Sequence, residues 1–200
     1  MGRPPKFDRE AAVETAMHEI WRNGLEACSA KALSERLGIS RSSFYNAFGS
    51  REALFKEALG LYLASTPDHV LGSVEADANT LEVLAGMFRN VCRVRAADPE
   101  AKGCMAVNCV AELVGADAAL GPVLEDAMLK SLDRLERLLR RAAANGEIED
   151  ADDLREKALA LQNLLIGLNL MSKVVRSEAD LWATAKLTLQ GLDLYRDPTT

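Results

Sequence analysis

The chain has 200 residues, 48% of them hydrophobic, and a formal net charge of −6, so it can bury the core of one large domain or two small ones. Ala contributes 31 residues and Leu 30, against 4 Ile and 5% aromatic residues, and this composition predicts an all-α fold. The longest uncharged run, Ala158–Ser172, has 15 residues, fewer than the roughly 20 that cross a bilayer. Residues 1–6 contain no apolar segment of a secretory signal, and we expect a cytoplasmic protein with no membrane partner.

The cysteines and histidines do not indicate a cofactor. Four cysteines are too few for a disulfide framework in a chain of this size, and none forms a CxxC pair. His18 and His69, the two histidines, lie far apart in the sequence, which argues against a His-rich metal site. We therefore expect neither a metal nor another cofactor.

The charge is distributed unevenly. Residues 1–58 hold nine Lys and Arg against eight Asp and Glu, whereas the remaining 142 hold fifteen against twenty-two. An acidic chain of this kind is not a general nucleic-acid coat, but its N-terminal part can still meet phosphate locally.

Four helices are predicted in the N-terminal third. Each follows a Ser or Asp that can accept a hydrogen bond from the first turn, and the first three end at a glycine. The expected N-caps are Asp8, Ser29, Ser40 and Ser50, and the expected stops are Gly24, Gly38 and Gly49.

Five further helices are predicted after a partly helical linker over residues 65–78. Their starts carry capping residues or a Gly-Pro pair, and most end near Gly or Pro. We expect them over residues 79–98, 104–113, 121–145, 153–175 and 177–195.

Two apolar stripes run along the helix that begins near Asp153. Leu161 and Leu168 lie on one stripe, and Leu164 and Met171 on the other. Together the two stripes form an apolar surface that is wider than one core requires. Gly167, and Gly191 in the last helix, would admit another helix at close range. This helix is either buried within its own subunit or shared between its own core and a partner chain, and the pattern alone leaves both possibilities open.

Residues 29–48 have the pattern of a helix-turn-helix motif. A short helix is followed by a tight turn at Gly38–Ser40 and a second helix whose exposed positions are rich in hydrogen-bond donors. In such motifs the second helix enters the major groove of DNA. An ordinary helical corner would show the same spacing.

The residues from about 6 to 60 closely resemble the N-terminal domain of TetR-type (TetR/AcrR family) transcriptional regulators. The matching anchor positions are Gly24, Leu33, Gly38, Ser40, Tyr45, Phe48, Leu54 and Phe55. The resemblance implies a three-helix helix-turn-helix DNA-binding domain over residues 6–60 and a helical ligand-binding and dimerisation domain over residues 66–197.

The resemblance also implies which residues meet DNA. Arg41, Ser42 and Ser43 lie where family members read or approach bases, since Arg can bind guanine through two hydrogen bonds. The positions that would touch phosphate are Tyr45, Asn46, Arg51 and Lys31. Each of these seven could instead be an ordinary solvated side chain.

The resemblance also implies a homodimer on a double-stranded, palindromic operator, usually a repressor released by a small-molecule inducer. The last two helices of each chain would form the interface. We therefore expect Leu161, Leu164, Gly167, Leu168, Met171 and Gly191 at the dimer contact. The inducer itself is not implied, because similarity to the family fades after residue 65.

The segment Gly103–Asn108 resembles the Gly-Cys-Leu-x-x-Asn segment of a TetR subset that includes NemR-like sensors of electrophiles. Cys104 follows Lys102 at a predicted helix start, and both features favour a thiolate. Cys104 is thus either a sensor or a small buried hydrophobic residue. Cys92 and Cys109 are expected in the core.

Two other functional classes compete with a regulator. A thiol enzyme would need a base to orient its nucleophile, and only Cys104 with His69 offers a pair, without supporting spacing. A helical scaffold that has lost DNA binding would not need Arg41, Tyr45 and Arg51 together.

Overall fold

The computed structural model describes residues 8–75, 78–149 and 153–195. Over these residues the chain forms nine α-helices, one 3₁₀ helix and no strand. The α-helices are α1 Arg9–Asn23, α2 Ala30–Arg36, α3 Arg41–Phe48, α4 Arg51–Ser65, α5 Thr80–Ala97, α6 Met105–Leu113, α7 Gly121–Ala144, α8 Leu154–Met171 and α9 Glu178–Gly191, and the 3₁₀ helix is Pro67–Gly72. The all-α prediction is confirmed.

The N-terminal helices begin where their capping residues predict. The Asp8 carboxylate accepts the amide hydrogens of Glu10 and Ala11, and the Ser29, Ser40 and Ser50 hydroxyls accept those of the third residue in their helices. Such bonds satisfy donors that the first turn of a helix leaves free. The starts of α1 to α4 are therefore set locally.

The hydrophobic core consists of two clusters. The first joins α1 to α4 with α6 and the start of α7, and includes Phe44, Phe55 and Met105. The second joins α5, α8 and α9 with the rest of α7, and includes Phe88 and Leu161. Because α6 packs in the first cluster, the domain boundary expected between residues 60 and 66 does not coincide with the division between the two clusters.

A buried polar cluster connects the helices of the first core cluster with those of the second. The Arg95 guanidinium, 5% exposed, donates from Nε to Asn169 Oδ1 at 2.6 Å and from Nη2 to the Tyr62 hydroxyl oxygen at 3.0 Å. The same oxygen accepts the Met105 amide hydrogen at 3.1 Å. Burial, with Cys104 as a neighbour, raises the pKa of Tyr62 well above its usual value, so this hydroxyl stays protonated. Helices α4, α5, α6 and α8 thus meet at one cluster.

The last two helices end earlier than expected. α8 stops at Met171 instead of residue 175, because the Lys173 and Val174 amides bond the carbonyls three residues earlier, those of Leu170 and Met171, in place of the fourth-residue spacing of an α-helix. α9 stops at Gly191 instead of residue 195, because Asp193 has a φ of +59°. The Leu194 amide then bonds the Leu189 carbonyl at 2.8 Å, which buries the Leu194 side chain.

No helix within the described ranges is long and apolar enough to span a bilayer. Those same ranges contain no group of three or more His, Cys, Asp or Glu side chains that could hold a metal ion. His18 stacks on Trp21 with the ring centroids 6.4 Å apart.

We predict that Tyr62→Phe lowers the free energy of unfolding by about 1–3 kcal/mol, because it leaves buried donors of Arg95 and Met105 without an acceptor. Urea unfolding with linear extrapolation measures the change. Tyr45→Phe is the matched control, because the exposed Tyr45 hydroxyl has no hydrogen-bond partner among the described residues, and a change within about 0.5 kcal/mol is expected there. Equal stability of the two variants would contradict a structural role for the Tyr62 hydroxyl.

Candidate nucleic-acid interface, exposed helix face and cavity

The backbone conformation of Gly38 and a backbone hydrogen bond define the turn between α2 and α3. Gly38 has a φ of +66°, a conformation that side chains with a Cβ rarely adopt. The Ile39 amide bonds the Ser34 carbonyl at 3.1 Å, and the buried Phe44 and Phe48 hold α3 against its neighbours. Packing of its buried face thus fixes the orientation of α3, and the opposite face is exposed.

That free face carries the polar side chains expected to meet DNA. They are all exposed: Arg41, Ser42, Ser43, Tyr45 and Asn46. Arg41 forms no ion pair or hydrogen bond with any described residue. The Ser40 hydroxyl lies 2.9 Å from the Ser42 and Ser43 hydroxyls, so the start of α3 presents a compact row of donors.

Lys31 and Arg51 flank this face from α2 and α4. Lys31 is exposed and 3.8 Å from Glu35. Arg51 is half-buried, with Nη1 3.4 Å from the Leu25 carbonyl oxygen and Nε 3.4 Å from Glu52 Oε1. Arg51 is therefore held in place more firmly than Lys31, at the N-terminus of α4 where helix amides favour an anion.

The residues expected at the dimer contact divide into two groups. Leu161 and Leu168 are buried in the second core cluster of their own subunit, so neither can contribute surface to an interface. The pattern of α8 predicted its two stripes but not which of them faces inward. Leu164 and Gly167 are half-buried, and Met171 and Gly191 are exposed, so these four remain available.

The exposed face of α8 and α9 contains apolar residues that the sequence did not single out. Leu170 lies on α8, Val174 follows it, and Leu187 lies on α9. Val174 is 77% exposed and Leu187 72%. A Cβ added at Gly167 or Gly191 would meet no atom within 4 Å, so nothing inside the described subunit requires a glycine there. Large contiguous patches of exposed apolar surface are typical of interaction sites.

A small cavity lies between α4, α6, α7 and α8. It has a volume of about 30 Å³ and is bordered by Cys104, Val107, Met128, Gln162 and Asn169 among others. The buried Ser131 hydroxyl donates to Gln162 Oε1 at 3.0 Å. This polar pair could have been suspected from Ser131 and Gln162, which interrupt apolar stripes of α7 and α8.

Cys104 is the N-cap residue of α6 and is 8% exposed. It lies at a helix start as expected, but Lys102 does not face it as a free cation. The Lys102 ammonium is 3.0 Å from Asp98 Oδ1 and 2.8 Å from Glu100 Oε2. Two carboxylates thus neutralise the Lys102 charge that was expected to act on Cys104.

The residues on either side of Cys104 are held tightly. A Cβ at Gly103 would lie 2.7 Å from the Asn169 carbonyl oxygen. The Asn108 side chain donates to the Lys102 carbonyl at 2.9 Å and accepts from the Lys173 ammonium at 3.0 Å. The segment therefore joins α6 to the end of α8.

The other three cysteines are buried in the core, as expected for Cys92 and Cys109. Burial raises the pKa of Cys28 and Cys92 to about 11 and that of Cys109 to about 12. Thiols with such pKa values form little thiolate near neutral pH. None of the three borders the small cavity.

A larger cleft of about 560 Å³ opens between α5 and α9. Its lining includes Arg89, whose guanidinium lies 4.5 Å from the ring centroid of Trp182, and Tyr195. None of the residues expected from the sequence to bind DNA or an inducer lines it.

Comparisons with known proteins agree with this geometry. Residues 12–58 match the family of bacterial regulatory proteins, tetR family, and residues 80–198 match the tetracyclin repressor-like C-terminal domain. The uncharacterized HTH-type transcriptional regulator YezE of Bacillus subtilis (strain 168) is 29% identical over 196 residues, 96% of this chain and 100% of that protein. The HTH-type transcriptional repressor ComR of Escherichia coli (strain K12) is 26% identical over 190 residues, 94% and 90% of the two chains.

The fold also matches solved structures. A cysteine mutant of the TetR family transcriptional regulator CifR, complexed with 26bp double-strand operator DNA, superposes with a TM-score of 0.82 at 29% identity. The match covers 94% of this chain and 98% of that one. The C-terminal family match alone spans more than half of the present sequence. The chain belongs to the TetR family, whose members are DNA-binding transcriptional regulators and not enzymes.

Proposed function

We propose that the protein is a homodimeric repressor that binds a palindromic operator and is released by a small-molecule inducer. The observation that carries the DNA-binding part is the exposed row of donors on α3, which begins with Arg41, a side chain that pairs with no described residue. A relative, ComR, is named a repressor, and CifR is complexed with operator DNA. In this proposal residues 6–60 bind DNA, and residues 66–197 bind the inducer and the second subunit.

Arg41 and Tyr45 would have different roles on the operator. Arg41, in the first turn of α3, can donate two hydrogen bonds to guanine, and its contact would specify sequence. Tyr45, one turn further along, is 50% exposed and packs edge-on against Phe44 with the centroids 5.6 Å apart. Its exposed hydroxyl would bond phosphate, a contact that positions the helix without specifying sequence.

Sequencing the DNA that the purified protein retains from fragmented genomic DNA would identify the operator. Arg41→Ala should then weaken operator binding by about 1–3 kcal/mol and relax the preference at one base pair. Tyr45→Phe should weaken binding to all sequences alike. Titrations at fixed salt concentration measure both, with Arg93→Ala as a control that removes one cation outside the helix-turn-helix. Unchanged affinity in both variants would contradict the proposed interface, and retention of no DNA at all would favour the scaffold.

The second subunit would pack on the exposed face of α8 and α9. Leu164, Gly167, Met171 and Gly191 lie on these helices, and Leu170, Val174 and Leu187 add apolar surface. A glycine inside a helix costs about 1 kcal/mol relative to alanine, and the open space at Gly167 shows no compensating contact within the subunit. Close approach of a partner helix would explain why position 167 is a glycine.

We predict that Gly167→Arg breaks the dimer without unfolding the subunit, because the new side chain has room in the monomer but would enter the contact between helices. Light scattering should give half the mass, circular dichroism should be unchanged, and tight binding to the palindrome should be lost because one half-site gives little affinity. Gly86→Arg is the matched control, because Gly86 is also a helical glycine with open space around it. A Gly167→Arg protein that remains dimeric would exclude this interface.

The inducer would act at the small cavity beside Cys104. A cavity of about 30 Å³ is far smaller than the roughly 300–1,000 Å³ of a usual small-molecule pocket, so an inducer bound there would have to push α4, α6, α7 and α8 apart. One way to place a group there is covalent. The Cys104 thiolate would add to a quinone ring carbon to form a C–S bond, while the quinone carbonyl oxygen takes up a proton.

This proposal predicts that 1,4-benzoquinone lowers the operator affinity of the wild type and leaves Cys104→Ser bound. Cys92→Ser and Cys109→Ser should respond as the wild type does, because burial suppresses their thiolates. Fluorescence anisotropy of labelled operator follows release, and mass spectrometry locates the adduct. Release of Cys104→Ser at the same quinone concentration would exclude the thiol switch and leave a non-covalent inducer, in this cavity or in the larger cleft.

A further inference from the structure

A carboxylate of α6 reaches into the turn between α1 and α2. Glu112 accepts the Leu25 amide hydrogen on Oε2 at 3.1 Å and the Glu26 amide hydrogen on Oε1 at 2.6 Å. Both oxygens are used, one for each of two successive amides. Such two-point, charge-assisted bonding fixes orientation as well as distance.

The turn is shaped to receive this carboxylate. Gly24, which ends α1, has a φ of +79°, and a Cβ there would lie 3.0 Å from Glu112 Oε2. The amides of the next two residues are thereby presented to the carboxylate at close range. Nothing else in the described chain accepts the Glu26 amide hydrogen.

The position of Glu112 is unfavourable for α6 itself. It is the penultimate residue of the helix Met105–Leu113, where the helix dipole disfavours a negative charge. The carboxylate therefore does not stabilise its own helix, and its contact lies instead with the helix-turn-helix. A helix of nine residues, about 14 Å long, connects this contact with Cys104 and the small cavity at its other end.

The other end of α6 also holds α1. Trp21 Nε1 donates to the Gly103 carbonyl at 3.1 Å, and the Arg22 guanidinium is 2.7 Å from Glu100. The C-terminal end of α1 is thus attached near both ends of α6, and Glu112 makes the attachment that lies next to the DNA-reading helices.

We propose that Glu112 is a positioning residue that sets the angle of the helix-turn-helix relative to the rest of the subunit. In the dimer this angle fixes the distance between the two α3 helices, and so the spacing of operator half-sites that the protein accepts. The inference rests on the proposed function, because it requires two subunits on one operator. It assigns to Glu112 control over spacing and not over base sequence.

The test varies both the residue and the operator. Glu112→Gln keeps the size of the side chain but replaces one acceptor oxygen with an NH₂ group that faces an amide hydrogen, and Glu112→Ala removes both acceptors. Operators with one base pair added to or removed from the centre shift the half-sites by about 3.4 Å and rotate them by about 35°. We expect this change to weaken wild-type binding at least ~10-fold, and both variants only ~2- to 3-fold.

Two controls separate positioning from folding. Glu125→Gln makes the same charge change at an exposed site of α7 and should keep the wild-type spacing preference. Hydrogen exchange at the Leu25 and Glu26 amides should be at least ~10-fold faster in both Glu112 variants, with the core amides of α1 and α4 unchanged.

The possible outcomes are distinct. If the Glu112 variants bind all operators more weakly but keep the wild-type spacing preference, Glu112 is only structural and the proposal is wrong. Unchanged exchange at Leu25 and Glu26 in Glu112→Ala would also overturn it. If the wild type binds no operator, the proposed function fails, while the exchange experiment still decides whether Glu112 holds the turn.

Discussion

Arg95 places a permanent charge in the interior, and the helices around it are arranged to satisfy that charge. Two of its donors bond Tyr62 on α4 and Asn169 on α8, and its carbon centre lies 5.7 Å from the centroid of the Trp21 ring on α1. No carboxylate among the described residues pairs with it. Since a buried cation is costly when its partners leave, α1, α4, α5 and α8 are constrained to move together or to exchange these partners for others.

This constraint places α6 at the centre of any rearrangement. The Met105 amide shares the Tyr62 hydroxyl with Arg95, and the carbonyl just before Cys104 accepts a hydrogen bond from Trp21. A group that entered the small cavity would press on α6, because Cys104, Ala106 and Val107 border it. The displacement would reach the N-terminal helices through polar bonds, which have defined directions, and not only through apolar packing, which adapts more easily.

The parts of the fold that depend on neighbouring residues could be predicted from the sequence. The caps at Asp8, Ser29, Ser40 and Ser50 act within one turn, so their positions follow from residue type. The assignment of Leu161 and Leu168 to the dimer contact was wrong because helical periodicity separates faces but does not show which face turns inward. The expected influence of Lys102 on Cys104 was likewise incomplete, because Asp98 and Glu100 come close only through the fold of the loop before α6.

The role proposed for Glu112 could not have been predicted from the sequence, for a different reason. A single acidic residue in an apolar helix has many ordinary explanations, and its partners lie 87 and 86 residues away along the chain. The one local signal was its place in the last turn of α6, where a negative charge is disfavoured. The seven residues expected to meet DNA remain a prediction, although five of them share the exposed face of α3.

The close approach of α6 and α8 at Gly103 changes how the Gly-Cys-x-x-x-Asn segment should be understood. Gly103 is required because the Asn169 carbonyl leaves no room for a Cβ, and Asn108 is engaged by Lys102 and Lys173. Two of the three defining residues therefore serve the junction between helices, whatever the thiol between them does. The presence of Gly103 and Asn108 beside Cys104 is thus explained by the helix junction alone, and it is no evidence that the thiol is reactive.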